Sequence, residues 1–163
     1  MYAIWLLPQY SDEKYLKNII DNLSFRFGAP AFQPHITIFG LIDEKLENIE
    51  SIINNSIERI NPFIVHKSTI RESNNFWKTI FIDLVINEEL NKIHDNFYHK
   101  FSKSKENKFS PHISLIYKNM NLDNRKKILN SLIIKNYFLI DKISILHFSE
   151  NILNWKIVKN FNL

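Results

Sequence analysis

Two short runs hold the most reactive combination of side chains in the sequence. Pro34-His35-Ile36-Thr37-Ile38-Phe39 and Pro111-His112-Ile113-Ser114-Leu115-Ile116 each set a histidine two residues before a hydroxyl. Both runs are apolar and β-branched, as strands are, and in a strand alternate side chains share a face. His35 and Thr37 then point one way, roughly 7 Å apart along the chain. His112 and Ser114 do the same, and each run turns plain aliphatics to its other face. Unperturbed histidine titrates at about 6.5, so it gives or takes a proton near neutrality. With the two strands facing each other, one imidazole takes a proton from water while the other protonates a departing ribose oxygen. Either histidine suits either part. Thr37 and Ser114 donate to the oxygens on which charge collects. Such a set opens a phosphodiester without a metal.

The elements that must hold these residues repeat with them. His112 follows His35 by 77 positions, and the same offset brings 2–7 onto 79–84, 12–27 onto 89–104, 45–60 onto 122–137 and 62–71 onto 139–148. These pairs match in pattern: strand-like, helix-like, helix-like and strand-like. Leu16 and Ile20 fall on Ile93 and Phe97 along the apolar stripes of the first and third helices. The repeat unit is strand-helix-strand-helix-strand, with an added strand near 154–160. No Pro- or Ser-rich linker divides the chain. The expectation is an α+β fold over 1–163 as one bilobal domain, with pseudo-repeat halves of about 1–75 and 76–163. Two mainly antiparallel sheets would surround a central cleft, with the helices outside. Ser11, Asp43, Asn87 and Asn121 with Asp123 are the expected helix caps. Gly28 and Pro30 stop the first helix. The aromatic, β-branched run 76–86 reads as a long central strand.

Composition narrows the chemistry further. The 163 residues are 45% hydrophobic and 13% aromatic, enough for a real core. With no cysteine, disulfides, thiolate nucleophiles and Cys-based zinc sites are excluded. Gly28 and Gly40 are the only glycines, too few for a Gly-rich phosphate loop. The net charge of +4 gathers at Lys100, Lys103, Lys105 and Lys108 and at Arg125, Lys126 and Lys127, read as solvated helix ends and loops, with weak attraction of polyanions or nucleotides toward a nearby cleft as the functional alternative. His94 and His99, five apart on the third helix, are expected at the surface, and His66 and His147 at a rim. No acidic cluster accompanies any histidine at metal-site spacing, so neither metal nor cofactor is expected. The opening apolar run, Ala3 to Pro8, is too short for a signal peptide or a membrane span. A cytoplasmic monomer with no membrane partner is the expectation.

The paired motifs resemble those of the two-histidine phosphoesterase superfamily, which repeats His-x-Thr/Ser in two lobes. Trp5-Leu6-Leu7-Pro8, Phe32-Gln33-Pro34-His35-Ile36-Thr37 and Ser110-Pro111-His112-Ile113-Ser114-Leu115-Ile116-Tyr117 are most similar to its cyclic phosphodiesterase branch. The resemblance implies a hydrolase that opens ADP-ribose 1″,2″-cyclic phosphate or nucleoside 2′,3′-cyclic phosphates to monophosphates. It also implies that Tyr117 joins Thr37 and Ser114 at the phosphate, and that Trp5, Phe76 and Trp77 border the base or ribose. Tyr117 has the wrong strand parity for this, so a bulge or the strand's end must turn it back. Two other readings stand beside this one. One is an enzyme of RNA processing that acts on 2′,3′-cyclic RNA ends or as a 2′-5′ RNA ligase. The other is a module that binds cyclic-phosphate ends without cleaving them.

Overall fold

The computed structural model describes residues 1–101 and 108–163; Lys103 and Lys105 lie outside them. The described chain is α+β, with seven strands and four helices. In order these are β1 (Tyr2–Pro8), α1 (Tyr10–Phe27), β2 (Ile36–Ile42), α2 (Leu46–Ile57), β3 (Phe63–Glu72), β4 (Ile80–Leu84), α3 (Glu88–Phe101), β5 (His112–Ile116), α4 (Leu122–Ser131), β6 (Tyr137–His147) and β7 (Lys156–Asn162). All strand pairs are antiparallel, in the order β1-β2-β5-β4-β3-β6-β7 with β6 also paired to β1. The ladders of both lobes thus run into one continuous sheet, and elements cross between the halves of the chain. β1 pairs with β6 and β3 with β4, while α1 packs on β5 and α3 on β2. Among the described residues no helix is long and apolar enough to cross a membrane.

The centre of this exchange is a single bridge. Ile36 of β2 pairs with Ile113 of β5, residues that the 77-position repeat makes equivalent. Equivalent residues facing each other in antiparallel strands is what a local two-fold axis produces. From this bridge an aliphatic row runs across the sheet: Ile143, Leu6, Ile36, Ile113 and Ile82, each paired with the next. All five are fully buried in the main core beneath the helices. There they meet Leu16, Ile20 and Leu23 of α1, Ile49 and Ile53 of α2, and Leu90, Ile93 and Phe97 of α3. Each such side chain contributes about 1.5–3 kcal/mol by leaving water. The period of two then sends Trp5, Thr37 and His112 to the opposite face. That face carries the small second cluster of Ala3, Trp5, Leu7 and Leu146, with Trp155 and Ile157 against it.

Several boundaries depart from the sequence reading. Gln9, not Ser11, stands at the N-terminus of α1, and Asp12 turns inward to accept from the Leu139 amide and to pair with Lys135. Asp43 does not cap α2, which begins after Lys45. Asn87 and Asn121 do cap, accepting from the amides of Leu90 and Asn124. Gly28 ends α1 at φ 59°, a left-handed conformation that suits glycine. The 76–86 run is not one strand. Phe76–Lys78 forms a 3-10 turn, because the Asn75 side chain accepts from the Trp77 amide, and β4 follows only from Ile80. His94 is buried rather than exposed, and its ring stacks on Phe109 with centroids 4.0 Å apart. His66 and His147 lie exposed, as expected.

Candidate active site

The proline before each histidine leaves it at the very start of its strand: His35 immediately precedes β2 and His112 opens β5. Because Ile36 faces Ile113, antiparallel register sets His35 across from Ser114 and Thr37 across from His112, all on one face. The histidines are thus diagonal across this bridge, near enough for His112 to act on His35. Each ring is fixed by the same device. The His35 Nδ1–H donates to the Gln33 carbonyl at 2.7 Å, and the His112 Nδ1–H to the Ser110 carbonyl at 2.9 Å. When neutral, both rings leave Nε2 as an unprotonated acceptor.

His35 and His112 line one cavity of about 320 Å³, together with Trp5, Thr37, Trp77 and Tyr117. The Thr37 side chain is exposed there. Tyr117 stands just beyond the end of β5, and its hydroxyl lies 3.5 Å from His35 Nε2, the outer limit of a hydrogen bond. Two features turn it back. The strand ends at Ile116, and Leu115 is an extra residue in the pairing with β4, where Ile80 meets Ile116 but Phe81 meets Ser114. Phe32 then stacks on the phenol ring at 3.9 Å.

Two expected members do not reach the cavity wall. Ser114 is buried beneath it and donates its hydroxyl to the Trp77 carbonyl at 2.8 Å, which anchors the 3-10 turn. Phe76 lies behind the wall, edge-on to Trp77 and parallel to Tyr117. Its neighbour Trp77 points outward because a tight turn sends successive side chains in different directions.

Burial governs the titration of the site. It drives His35 down to about 3, against the opposing effect of the Gln33 hydrogen bond, and the nearby His112 adds a smaller push the same way. His112 is lowered too, first by burial and then by the Lys78 ammonium, while the Ser110 carbonyl and Asp83 oppose. Burial raises the Tyr117 phenol well above its ordinary range, so it stays a proton donor, with Ser114 opposing. Trp5 covers the face of the His35 ring, with centroids 3.5 Å apart and planes within 8°.

A family model described as cyclic phosphodiesterase-like protein matches residues 1–163. The chain belongs to the cyclic phosphodiesterase-like family. It is accordingly a member of the two-histidine phosphoesterases and a phosphodiesterase. A cyclic phosphodiesterase of Arabidopsis thaliana is 21% identical over 126 residues, 77% of this chain and 70% of that protein. Among solved structures, E. coli LigT in apo form superposes with a TM-score of 0.62 at 11% identity, covering 99% of this chain and 96% of LigT. The protein TT0787 of Thermus thermophilus gives 0.62 at 9% identity, covering 99% and 97%. LigT has also been solved with 3′-AMP, and that structure gives 0.61 at 11% identity, covering 99% and 97%. At such identities these likenesses speak for the fold.

Several cavity residues of this phosphodiesterase escaped the sequence reading: Asn75, Lys78, Leu41, Phe148 and Trp155. Trp155 lies in no motif, only next to the last strand. It reaches the site because β7 pairs with β6, which in turn pairs with β1. Its ring is nearly parallel to Trp77, with centroids 5.8 Å apart. Leu41 takes φ 58°, a conformation costing a non-glycine residue about 1–2 kcal/mol, at an irregularity of the β1–β2 pairing beside the cavity. The second basic segment is not solvated throughout. Arg125 is buried, bonded to Glu72 and to the Met120 carbonyl, so it belongs to the core of its lobe.

Proposed function

We propose that this enzyme hydrolyses a small ribose cyclic phosphate, either a nucleoside 2′,3′-cyclic phosphate or ADP-ribose 1″,2″-cyclic phosphate, to a monophosphate. One observation carries the reading: two histidines from equivalent strands, each tied at Nδ1 to a backbone carbonyl, offer Nε2 on the same cavity. His35 is the base. Burial keeps it unprotonated through the ordinary pH range, and its Nε2 takes a proton from water as the water oxygen bonds to phosphorus. The imidazolium so formed lies against the Trp5 π-face, which favours the cation as it appears. His112 is the acid. It is less buried than His35, and although burial and Lys78 lower it, the Ser110 carbonyl and Asp83, opposite it on β4, oppose that shift. As the bond from phosphorus to one ribose oxygen breaks, His112 gives that oxygen its proton. Thr37 and the Tyr117 hydroxyl donate to the non-bridging oxygens. Ser114 steadies Tyr117 and the Trp77 turn from below.

The aromatic walls suit the nucleoside. Trp77 and Trp155, nearly parallel with centroids 5.8 Å apart, offer aromatic faces on which a base can stack. We likewise read residues 1–163 as one bilobal domain with halves about 1–75 and 76–163, a reading supported by the Ile36–Ile113 pairing of equivalent residues. The test is turnover of 2′,3′-cyclic AMP in EDTA. Release of a single monophosphate isomer is expected, and absence of turnover on both cyclic substrates overturns the reading. Faster cleavage of a cyclic-ended oligonucleotide than of the mononucleotide would instead favour RNA ends. Tight binding without turnover would favour the non-catalytic module.

A further inference from the structure

The motif hydroxyl of the first half, Thr37, lines the cavity, whereas its repeat equivalent in the second half, Ser114, does not and donates to the Trp77 carbonyl. What the second half of the chain presents to the cavity instead is Lys78, whose charge acts on His112. Its backbone is held firmly: the Lys78 amide donates to the Asn75 carbonyl, its own carbonyl accepts from Ser73, and Thr79 next to it donates to the Lys118 carbonyl beyond β5. The side chain crosses Phe81, with Nζ 4.5 Å from the ring centroid, and the Phe81 ring meets His112 edge to face at 5.6 Å. The carboxylate nearest this cluster, Asp83, is bonded to Arg71 at 2.9 Å. Among the described residues the Lys78 ammonium has no ion-pair or hydrogen-bond partner, and no carboxylate lines the cavity. Among those same residues, Lys78 is the only lining side chain with a full charge at neutral pH apart from any protonated histidine.

We propose that Lys78 is the anion-holding cation of the His112 half, its ammonium bonding the phosphate oxygen that the repeat would assign to Ser114. This deepens the cyclic phosphodiesterase reading and rests on it. Partial burial pulls the ammonium below lysine's ordinary range, and Arg71 pulls the same way against Asp83, so the charge is poorly compensated until an anion arrives. The site therefore favours anions by charge as well as by shape. A cyclic phosphate carries one negative charge and the monoester product close to two, so Lys78 holds product more tightly than substrate. Product inhibition by the monophosphate follows.

The test uses the full chain as wild type, K78Q and K78R, titrated calorimetrically with inorganic phosphate and, separately, with adenosine. K78Q is expected to bind phosphate about tenfold more weakly, the worth of one charge-assisted hydrogen bond, with adenosine unchanged. K78R should restore phosphate affinity to within about threefold. In turnover, the inhibition constant of the monophosphate should rise more than KM in K78Q, with kcat changed least. Equal phosphate affinity in K78Q and wild type overturns the proposal. So does a loss of adenosine affinity in step with phosphate, which would report only a collapsed turn. Wild-type protein that hydrolyses no cyclic phosphate would sink the functional reading, while the phosphate comparison would still decide the role of Lys78.

Discussion

The two halves of the cavity start from the same motif and end differently. Around His35 the walls are aromatic: Trp5 covers the ring face, and Phe32 and Trp155 meet it edge-on. Around His112 they are mixed: Phe81 meets the ring edge-on, Lys78 lines the cavity, and behind it Asp83, held by Arg71, acts on the ring. Burial lowers both imidazoles, His35 the more strongly, and only at His112 do a cation and a carboxylate add opposing smaller effects. A two-fold backbone supplies the pairing, and in the proposed mechanism its unlike surroundings divide the labour. Acid and base need different protonation states, which a truly symmetric site would not provide.

The largest effect that tests this contrast comes from the histidines themselves. H35A and H112A should each lower kcat on 2′,3′-cyclic AMP by about 10²- to 10⁴-fold. Full activity in either variant would break the division of roles. Next come the hydroxyls. T37V should cost about tenfold in kcat/KM, since it removes a hydrogen-bond donor at the cavity wall. S114A should cost less in rate but lower the melting temperature, because the Trp77 carbonyl loses its donor, worth about 1 kcal/mol. Equal rate losses in T37V and S114A would show that the buried serine reaches the phosphate after all.

The pH profile sharpens the same comparison. The proposed mechanism needs His35 unprotonated and His112 protonated, so kcat/KM should rise through about pH 3 and fall as pH passes the lowered His112 value, below histidine's ordinary range. The optimum then lies on the acid side of neutrality, not near pH 7 as two unperturbed histidines would give. Removing the positive charge in K78Q should move the descending limb upward, and a limb that stays put would mean Lys78 does not act on His112. The remaining effect is on stability. A buried His35 binds its proton only near pH 3, whereas in the unfolded chain it does so near 6.5. Between those values the unfolded state binds more protons, so the advantage of the fold is complete above pH 6.5 and is lost as pH falls towards 3. H35Q should flatten that decline, measured as denaturant midpoints at pH 7 and pH 4.

Much of this was legible in the sequence, and particular residues show why. Strand period and the 77-position offset together put His35, Thr37, His112 and Ser114 on one face, because alternation is a local property of extended chain. Proline before each histidine marked the strand starts, and Asn87, Asn121 and Gly28 marked helix ends through chemistry confined to neighbouring residues. The failures were of another kind. Ser11 and Asp43 looked like caps, but Asp12 is drawn inward by Lys135 and the Leu139 amide, more than a hundred positions away. The run 76–86 had strand composition throughout, yet Asn75 and Thr79 fold its first residues into a turn.

The sequence by itself determined the fold class, the paired motif and the faces its side chains take, since periodicity and turn chemistry act over a few residues. Tertiary structure decided which groups surround each histidine. Trp155 arrives through two successive strand pairings, Lys78 through a turn anchored to Ser114 and Lys118, and Ser114 is withdrawn by that same turn. Burial and charge at a site are sums over everything packed there, and no local pattern carries that sum.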